Sequence, residues 1–257
     1  MPEYTLPHDL TGEEQRLALM SALLDPIELD CIARLGIRQG WQCLELGCGN
    51  GSISRALAER VAPTGRVIAS DIDLSYVAKL KAPCLEVRRI DVIQDAIDEN
   101  FYDFVVARAL LHHLPSARDA LQRMIGALKP GGVLLSIEPD MLPCTVAQPE
   151  SMHAFWQGWL NWSAQSGIDY FIGRRISPWL DSFGLRDVAG EGYTAHFNGG
   201  SNWAKYWADT MRELAPSLLK SGFLTSELLE EFQVCFQEPH YWTSVMTFTA
   251  NWGRKPE

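Results

Sequence analysis

Glu45-Leu46-Gly47-Cys48-Gly49-Asn50-Gly51 lies between a short apolar run at 42–46 and a helical segment at 52–62. Three glycines within five residues let the backbone bend sharply and bring bare main chain close to a bound molecule, beside a helix N-terminus that favours negative charge. The stretch reads as a ligand loop between a strand and a helix. It is not the dinucleotide fingerprint, because Ser52 occupies the position where GxGxxG needs its last glycine.

Downstream of the loop the pattern repeats. Apolar runs at 66–70, 85–90, 101–107 and 133–137 alternate with helical segments at 73–81 and 116–128 and an irregular piece at 93–99. The turn signals Pro63-Thr64-Gly65 and Lys129-Pro130-Gly131-Gly132 return the chain to its strands. Such alternation predicts a doubly wound α/β fold, a parallel sheet covered on both faces.

Upstream, Thr11 and Glu14 form a capping-box pattern for a helix over 11–24, and Asp25-Pro26 reads as its end and the start of a second helix. After Pro143 the simple alternation stops. Helices are expected at 151–165, with Phe155, Trp159 and Trp162 on one face, and at 172–183, and strands at 185–197 and 241–252. The interval 198–239 is too long for a hairpin loop and carries its own helices.

Composition narrows the function classes. With 257 residues, 47% of them apolar, the chain can bury a sizeable core. Its 22 Lys and Arg against 32 Asp and Glu give a net charge of -10, which argues against a nucleic-acid partner. No run is long and apolar enough to span a bilayer and residues 1–9 lack a signal-peptide pattern, so no membrane association and a cytoplasmic location are expected. The six Cys show no CxxC pair or ligand spacing, so free buried thiols and no metal are expected. Eight of the nine Trp fall after residue 150, which sets the second half apart.

Two acids extend the ligand site. Asp71, at the tip of the second strand, is placed to accept hydrogen bonds from both hydroxyls of a ribose. Asp91-Val92, after the third, can receive an exocyclic amine, with Val92 and Ile72 on either side of an adenine ring.

Across about residues 40–140 these features resemble the class I S-adenosylmethionine-dependent methyltransferases, in their small-molecule branch. Glu45 to Gly51 is similar to their first motif, Arg108-Ala109-Leu110-Leu111-His112-His113-Leu114 to their segment after strand four, and Leu128 to Gly132 to their turn before strand five. The resemblance implies a Rossmann-like sheet of seven strands, order 3-2-1-4-5-7-6 with the last strand antiparallel, and S-adenosyl-L-methionine as cofactor. It implies one methyltransferase domain over 1–257, with lid helices at 1–38, the cofactor-binding core at 40–140 and helical substrate-lid insertions at 144–184 and 198–239. The implied cofactor contacts are Glu45 near the methionine amine, Gly47, Cys48 and Gly49 at the amino-acid end, Asp71 at the ribose, Ile72, Asp91 and Val92 at the adenine, and Arg108 from the segment after strand four. Tyr4, Gln15 and Arg16 are further lid contacts to expect.

The expected reaction is methyl transfer to a small, hydrophobic or aromatic metabolite of the kind made in secondary metabolism, with oxygen slightly favoured over carbon or nitrogen. His113 is the first candidate for a base or substrate-orienting group, with His112 expected to face elsewhere; Glu138 lies at the same sheet edge and competes for the role. Trp156, Trp159, Trp203 and Trp207 are candidates for an aromatic pocket around a flat acceptor. The alternative is a protein that uses the cofactor structurally or catalyses a rearrangement without methylation. A monomer or homodimer is expected.

Overall fold

The computed structural model describes residues 12–257. Its central sheet is built from β1 (Gln42–Leu46), β2 (Arg66–Asp71), β3 (Leu85–Arg89), β4 (Tyr102–Arg108), β5 (Leu128–Asp140), β6 (Arg186–Thr194) and β9 (Thr247–Arg254), and a separate short hairpin pairs β7 (Phe197–Asn198) with β8 (Trp242–Thr243). The sheet runs β3-β2-β1-β4-β5-β9-β6, parallel through β5, with β9 antiparallel to both of its neighbours. Counted without the small hairpin, this is the expected 3-2-1-4-5-7-6 order.

Alternation along the strands divides the core into two layers. Cys43, Phe104, Val106, Val133 and Leu135 face a layer shared with α1 (Glu13–Arg34), α2 (Ser52–Val61), α4 (Glu150–Gln165), α6 (Asn202–Ser221) and α7 (Ser226–Gln237). Leu44, Leu46, Val105, Ala107 and Leu134 face the opposite layer with α3 (Ala117–Ala127) and α5 (Gly173–Ser182). The central strands are apolar on both faces because helices cover both.

Several local expectations are corrected. The two N-terminal helices are one, Glu13–Arg34, with Pro26 inside it. Asp25 does not cap a second helix; its carboxylate reaches Ser52 Oγ at 3.1 Å and Arg108 Nη1 at 2.9 Å. Thr11 lies outside the described residues, and Gly12 precedes the helix without a side-chain cap. Residues 73–81 form successive turns rather than a helix. Their apolar residues Leu74, Val77 and Leu80 sit three apart, a spacing met by turns, and pack on Cys48 and Ala69 beneath the glycine loop. Lys129 to Gly132 does not end a helix before a short strand: Leu128–Asp140 is continuous, and a register shift against β4 absorbs the glycines. The late strands are shorter than expected because each donates its end to the β7–β8 hairpin.

Candidate functional site

At the carboxyl ends of β1 to β4, the crevice where open α/β sheets hold their ligands, a mainly apolar cavity opens. Leu46, Gly47 and Gly49 line it from the loop after β1, Asp71 and Ile72 from the end of β2, and Ile90, Asp91 and Val92 from the end of β3. The end of β4 adds Arg108, and the chain after it adds residues 109–114 except Leu111. Glu13, Arg16, Leu17 and Met20 of α1, together with Tyr206, Trp207 and Thr210 of α6, form the opposite wall, and Tyr170, Met246 and Phe248 continue it.

The glycine loop has the geometry its composition requires. Gly47, Gly49 and Gly51 have φ of +71°, +53° and +74°, a region side chains enter only with strain. A Cβ on Gly49 would project toward α1 and stand 3.6 Å from Leu17 Cδ2, so the absent side chain leaves room between loop and helix. Gly49 N–H donates to Asp71 Oδ2 at 2.9 Å, and Asp73 N–H donates to Oδ1 at 3.2 Å. Each carboxylate oxygen keeps a lone pair for the cavity.

Behind this wall lies a knot of charge. Arg108 Nη1 is 2.9 Å from Asp25 Oδ1 and 2.7 Å from Glu28 Oε2, so three groups from α1 and β4 meet beneath the surface. Burial pushes Glu28 above the usual carboxylate range, against the pull of Arg108. Burial, and then Glu28, push Glu45 up to about 8; its carboxylate accepts from Ser54 Oγ. Burial works against the charge of Arg108, but Glu28 and Asp25 outweigh it and raise its pKa.

A second polar pair interrupts the apolar wall. Glu138, fully buried on β5, accepts main-chain N–H groups of Leu110 at 3.0 Å, Leu111 at 2.8 Å and His112 at 3.3 Å. Its Oε2 is also 2.9 Å from His112 Nδ1. Burial raises Glu138 to about 7, with the three N–H groups opposing it. Burial, and then the charge of Arg16, lower His112 to about 3. His112 is therefore a neutral imidazole, and once Glu138 is ionised Nδ1 carries the proton it donates.

The structure thus brings Gly47, Gly49, Asp71, Ile72, Asp91, Val92, Arg108 and His113 to one cavity, and Arg16 with them. Glu45 and Cys48 lie behind the lining, Glu45 beside the Arg108 knot and Cys48 packed on Val77. Gln15 points to another cleft, beside Arg212, and Tyr4 lies outside the described residues. His112, expected to face elsewhere, is the histidine held by Glu138, because the 3-10 turn Leu111–His113 directs its ring toward β5.

The aromatic candidates divide. Trp207 lines the cavity, and its indole N–H has no acceptor among the described residues. Trp156 and Trp159 do not line it: both are fully buried between α4 and α6, edge-on to Trp207 at 5.1 and 6.1 Å. Their helical spacing packs α4 against its neighbours. Trp203 lies against Phe197 and Phe248, outside the lining. Sequence reasoning missed Tyr170 and Phe248, which stand in segments without a motif, and it missed Asp25 and Glu28, whose helical context hid their shared partner Arg108.

Among the described residues no group of three or more His, Cys, Asp or Glu is placed to hold a metal ion, and no helix is long and apolar enough to cross a membrane. The six thiols are free.

Comparison with known proteins agrees with this arrangement. A family described as "Methyltransferase domain" matches residues 15–189. The demethylmenaquinone methyltransferase of Oceanobacillus iheyensis is 29% identical over 116 residues, 42% of this chain and 49% of that protein. The chain thus matches about half the length of that curated relative. In fold it is similar to the Haemonchus contortus phosphoethanolamine N-methyltransferase 2 solved with S-adenosyl-L-methionine, with TM-score 0.63, 16% identity and coverage of 97% of this chain and 59% of that one. It is likewise similar to the YcgJ protein of Bacillus subtilis, with TM-score 0.58, 15% identity and coverage of 95% and 99%. With more than half its length matched by the family, and with that family's strand order, the chain belongs to the class I S-adenosylmethionine-dependent methyltransferases.

Proposed function

We propose that the protein transfers a methyl group from S-adenosyl-L-methionine to the oxygen of a small, flat, hydrophobic metabolite. The observation that carries this reading is a single cavity whose one end is a glycine loop with two strand-end acids and whose other end is aromatic and apolar. Gly47 and Gly49 would bear the amino-acid end of the cofactor, where the room beside Leu17 fits it. Asp71 has lone pairs for two ribose hydroxyls, and Ile72 and Val92 would flank the adenine, with Asp91 facing its amine. The acids Asp71 and Asp91 on the lining suit a cationic sulfonium and ammonium.

When bound, the cofactor supplies the electrophilic methyl. The chain's own part is to align an acceptor and exclude water, effects worth about 7–11 kcal/mol in favourable cases. Tyr170, Tyr206, Trp207 and Phe248 offer flat apolar contacts, and the indole N–H of Trp207 is a donor without a described acceptor.

Calorimetric titration with S-adenosylmethionine, followed by assay of S-adenosylhomocysteine released with a panel of phenols, quinols and amines, tests the reading. Cofactor binding with turnover of a hydroxylated aromatic is the expected result. Binding without any methyl transfer would favour structural use of the cofactor or a rearrangement activity, and stabilisation by NAD alone would overturn the assignment.

A further inference from the structure

We propose that Tyr170 is a gate between the cavity and a second hollow, and that the hollow receives an alkyl tail carried by the acceptor. The inference names the substrate class of the methyl-transfer reading, an aromatic head with a hydrocarbon chain, and rests on that reading.

The second hollow lies between the C-terminal end of α4 and the chain leading into α5. Leu160, Ser163 and Ala164 line it from the helix, and residues 167–171 line it from the connection. Of these, Tyr170 alone also lines the main cavity. Its ring is 5.3 Å from that of His112 on the cavity side and 5.7 Å from that of Trp159 on α4, so it stands between the two spaces.

The partition is a side chain and not a stretch of backbone. Asp169 N–H donates to the carbonyl of His112 at 2.9 Å, and the carbonyl of Tyr170 accepts from Met141 N–H at 2.9 Å, which pins the main chain at 169–170 to the rest of the fold. Turning the ring to another staggered side-chain well would join the two spaces without moving those bonds.

The chemistry of the hollow selects its occupant. Two polar side chains in the lining, besides Tyr170 itself, are already engaged. Ser163 Oγ donates to the carbonyl of Trp159 at 2.7 Å, while Asp169 accepts from Phe171 N–H at 3.1 Å and pairs with Arg175. What they leave is Leu160, Ile168 and Phe171 around the small residues Ala164 and Gly167, and a Cβ on Gly167 would meet nothing within 4 Å. Such walls stabilise hydrocarbon by taking it out of water and leave a polar group without partners. Elsewhere the cavity adjoins, through Glu13 and Arg16, a cleft that holds Asp209, Arg212 and Glu213, charges that disfavour an apolar tail.

The test separates this inference from the reading beneath it. Calorimetry with S-adenosylhomocysteine is run first on the wild type, and absence of binding would overturn the methyl-transfer reading itself. In the resulting complex, Kd is measured for 4-methyl-, 4-propyl-, 4-pentyl- and 4-heptylphenol. The readout is the ratio of the methyl to the heptyl Kd within each protein, from which any general loss of binding cancels. Each methylene that is buried should tighten binding about fourfold. Ala164→Phe and Ala164→Trp, at an exposed position of α4 outside the cavity lining, plug the hollow, and the ratio should fall about 10- to 100-fold. Tyr170→Ala removes the partition and should raise the ratio, and adding Ala164→Trp to it should cancel that rise. Unchanged ratios in both plugged proteins would overturn the hollow as the site of the tail. A loss in Tyr170→Ala that is equal for all four phenols would overturn the gate, and a wild type that binds S-adenosylhomocysteine but none of the phenols would overturn the tailed acceptor.

Discussion

Arg108 Nη1 stands 2.9 Å from Asp25 Oδ1, which ties the end of β4 to the middle of α1. The same nitrogen is 2.7 Å from Glu28, whose side chain is fully buried, so one guanidinium compensates two carboxylates of the helix that walls the cavity. Because both Arg108 and Glu28 are shielded from water, the pair holds α1 in place only as long as both members are present.

Replacing Arg108 by Met strands Glu28 in an apolar interior. Removal of one partner from a buried ion pair costs about 3–5 kcal/mol. Asp25→Asn, at a side chain 22% exposed and still able to meet Ser52, should cost about 1 kcal/mol. Urea denaturation of both variants measures the difference, and an equal loss would mean that Arg108 does not carry the compensation described here.

Glu45 makes stability depend on pH in a defined direction. Its pKa in the folded protein, about 8, lies above the ordinary 4.5, so the folded state keeps a proton that the unfolded chain gives up. Stability therefore falls as pH rises through the window from 4.5 to about 8, where the folded state binds more protons than the unfolded one. Glu45→Gln removes that titration and retains an acceptor for Ser54. Thermal melts across the window should show the wild type losing more of its Tm than the variant, and parallel curves would contradict the burial of a titrating Glu45.

What could be read before the fold was known follows from how local each signal is. Gly47, Gly49 and Asp71 are strand-end residues, and their roles depend on backbone turns within a few positions and on a parallel sheet that alternation already implies. Pro26 misled because the helix is held by contacts far away in sequence, Asp25 with Ser52 and Arg108, that offset the hydrogen bond proline removes. The choice between His112 and His113 could not be made from adjacent positions. It depends on Glu138, 26 residues on, and on the direction of a single 3-10 turn. Aromatic spacing marked α4 correctly as an amphipathic helix but could not say whether its face met a ligand or another helix.

That last ambiguity is resolved by burial and has a measurable consequence. Trp156→Ala would empty a fully buried site packed on Trp207, Phe155 and Phe232, at a cost of about 3–5 kcal/mol. Trp207→Phe, at a residue that reaches the cavity, should instead shift the KM for the acceptor while the Kd for the cofactor stays near that of the wild type. Denaturation curves and steady-state kinetics on the two variants distinguish core from cavity wall. A larger kinetic than stability effect at Trp156 would reverse the assignment.

Asp71 joins the glycine loop to β2 and is the acid through which the proposed ribose contact would act. Asn at this position offers one acceptor oxygen where the carboxylate offers two, so it can serve Gly49 N–H but gives up the bond from Asp73 N–H and meets a ribose diol with one hydrogen bond fewer and no charge. A hydrogen bond to a charged group contributes about 1.5–3 kcal/mol, so affinity for S-adenosylhomocysteine should fall about 10- to 100-fold. The loop should hold, because the turn at Gly49 depends on its own φ of +53° and on the packing of Cys48 beneath it. Calorimetry with S-adenosylhomocysteine and with its 2′,3′-dideoxy analogue separates the contributions. Asp71→Asn should bind the dideoxy analogue as well as the wild type does, since neither protein then has a diol to hold, whereas a comparable loss toward both ligands would place the role of Asp71 in shaping the loop rather than in contacting the ribose.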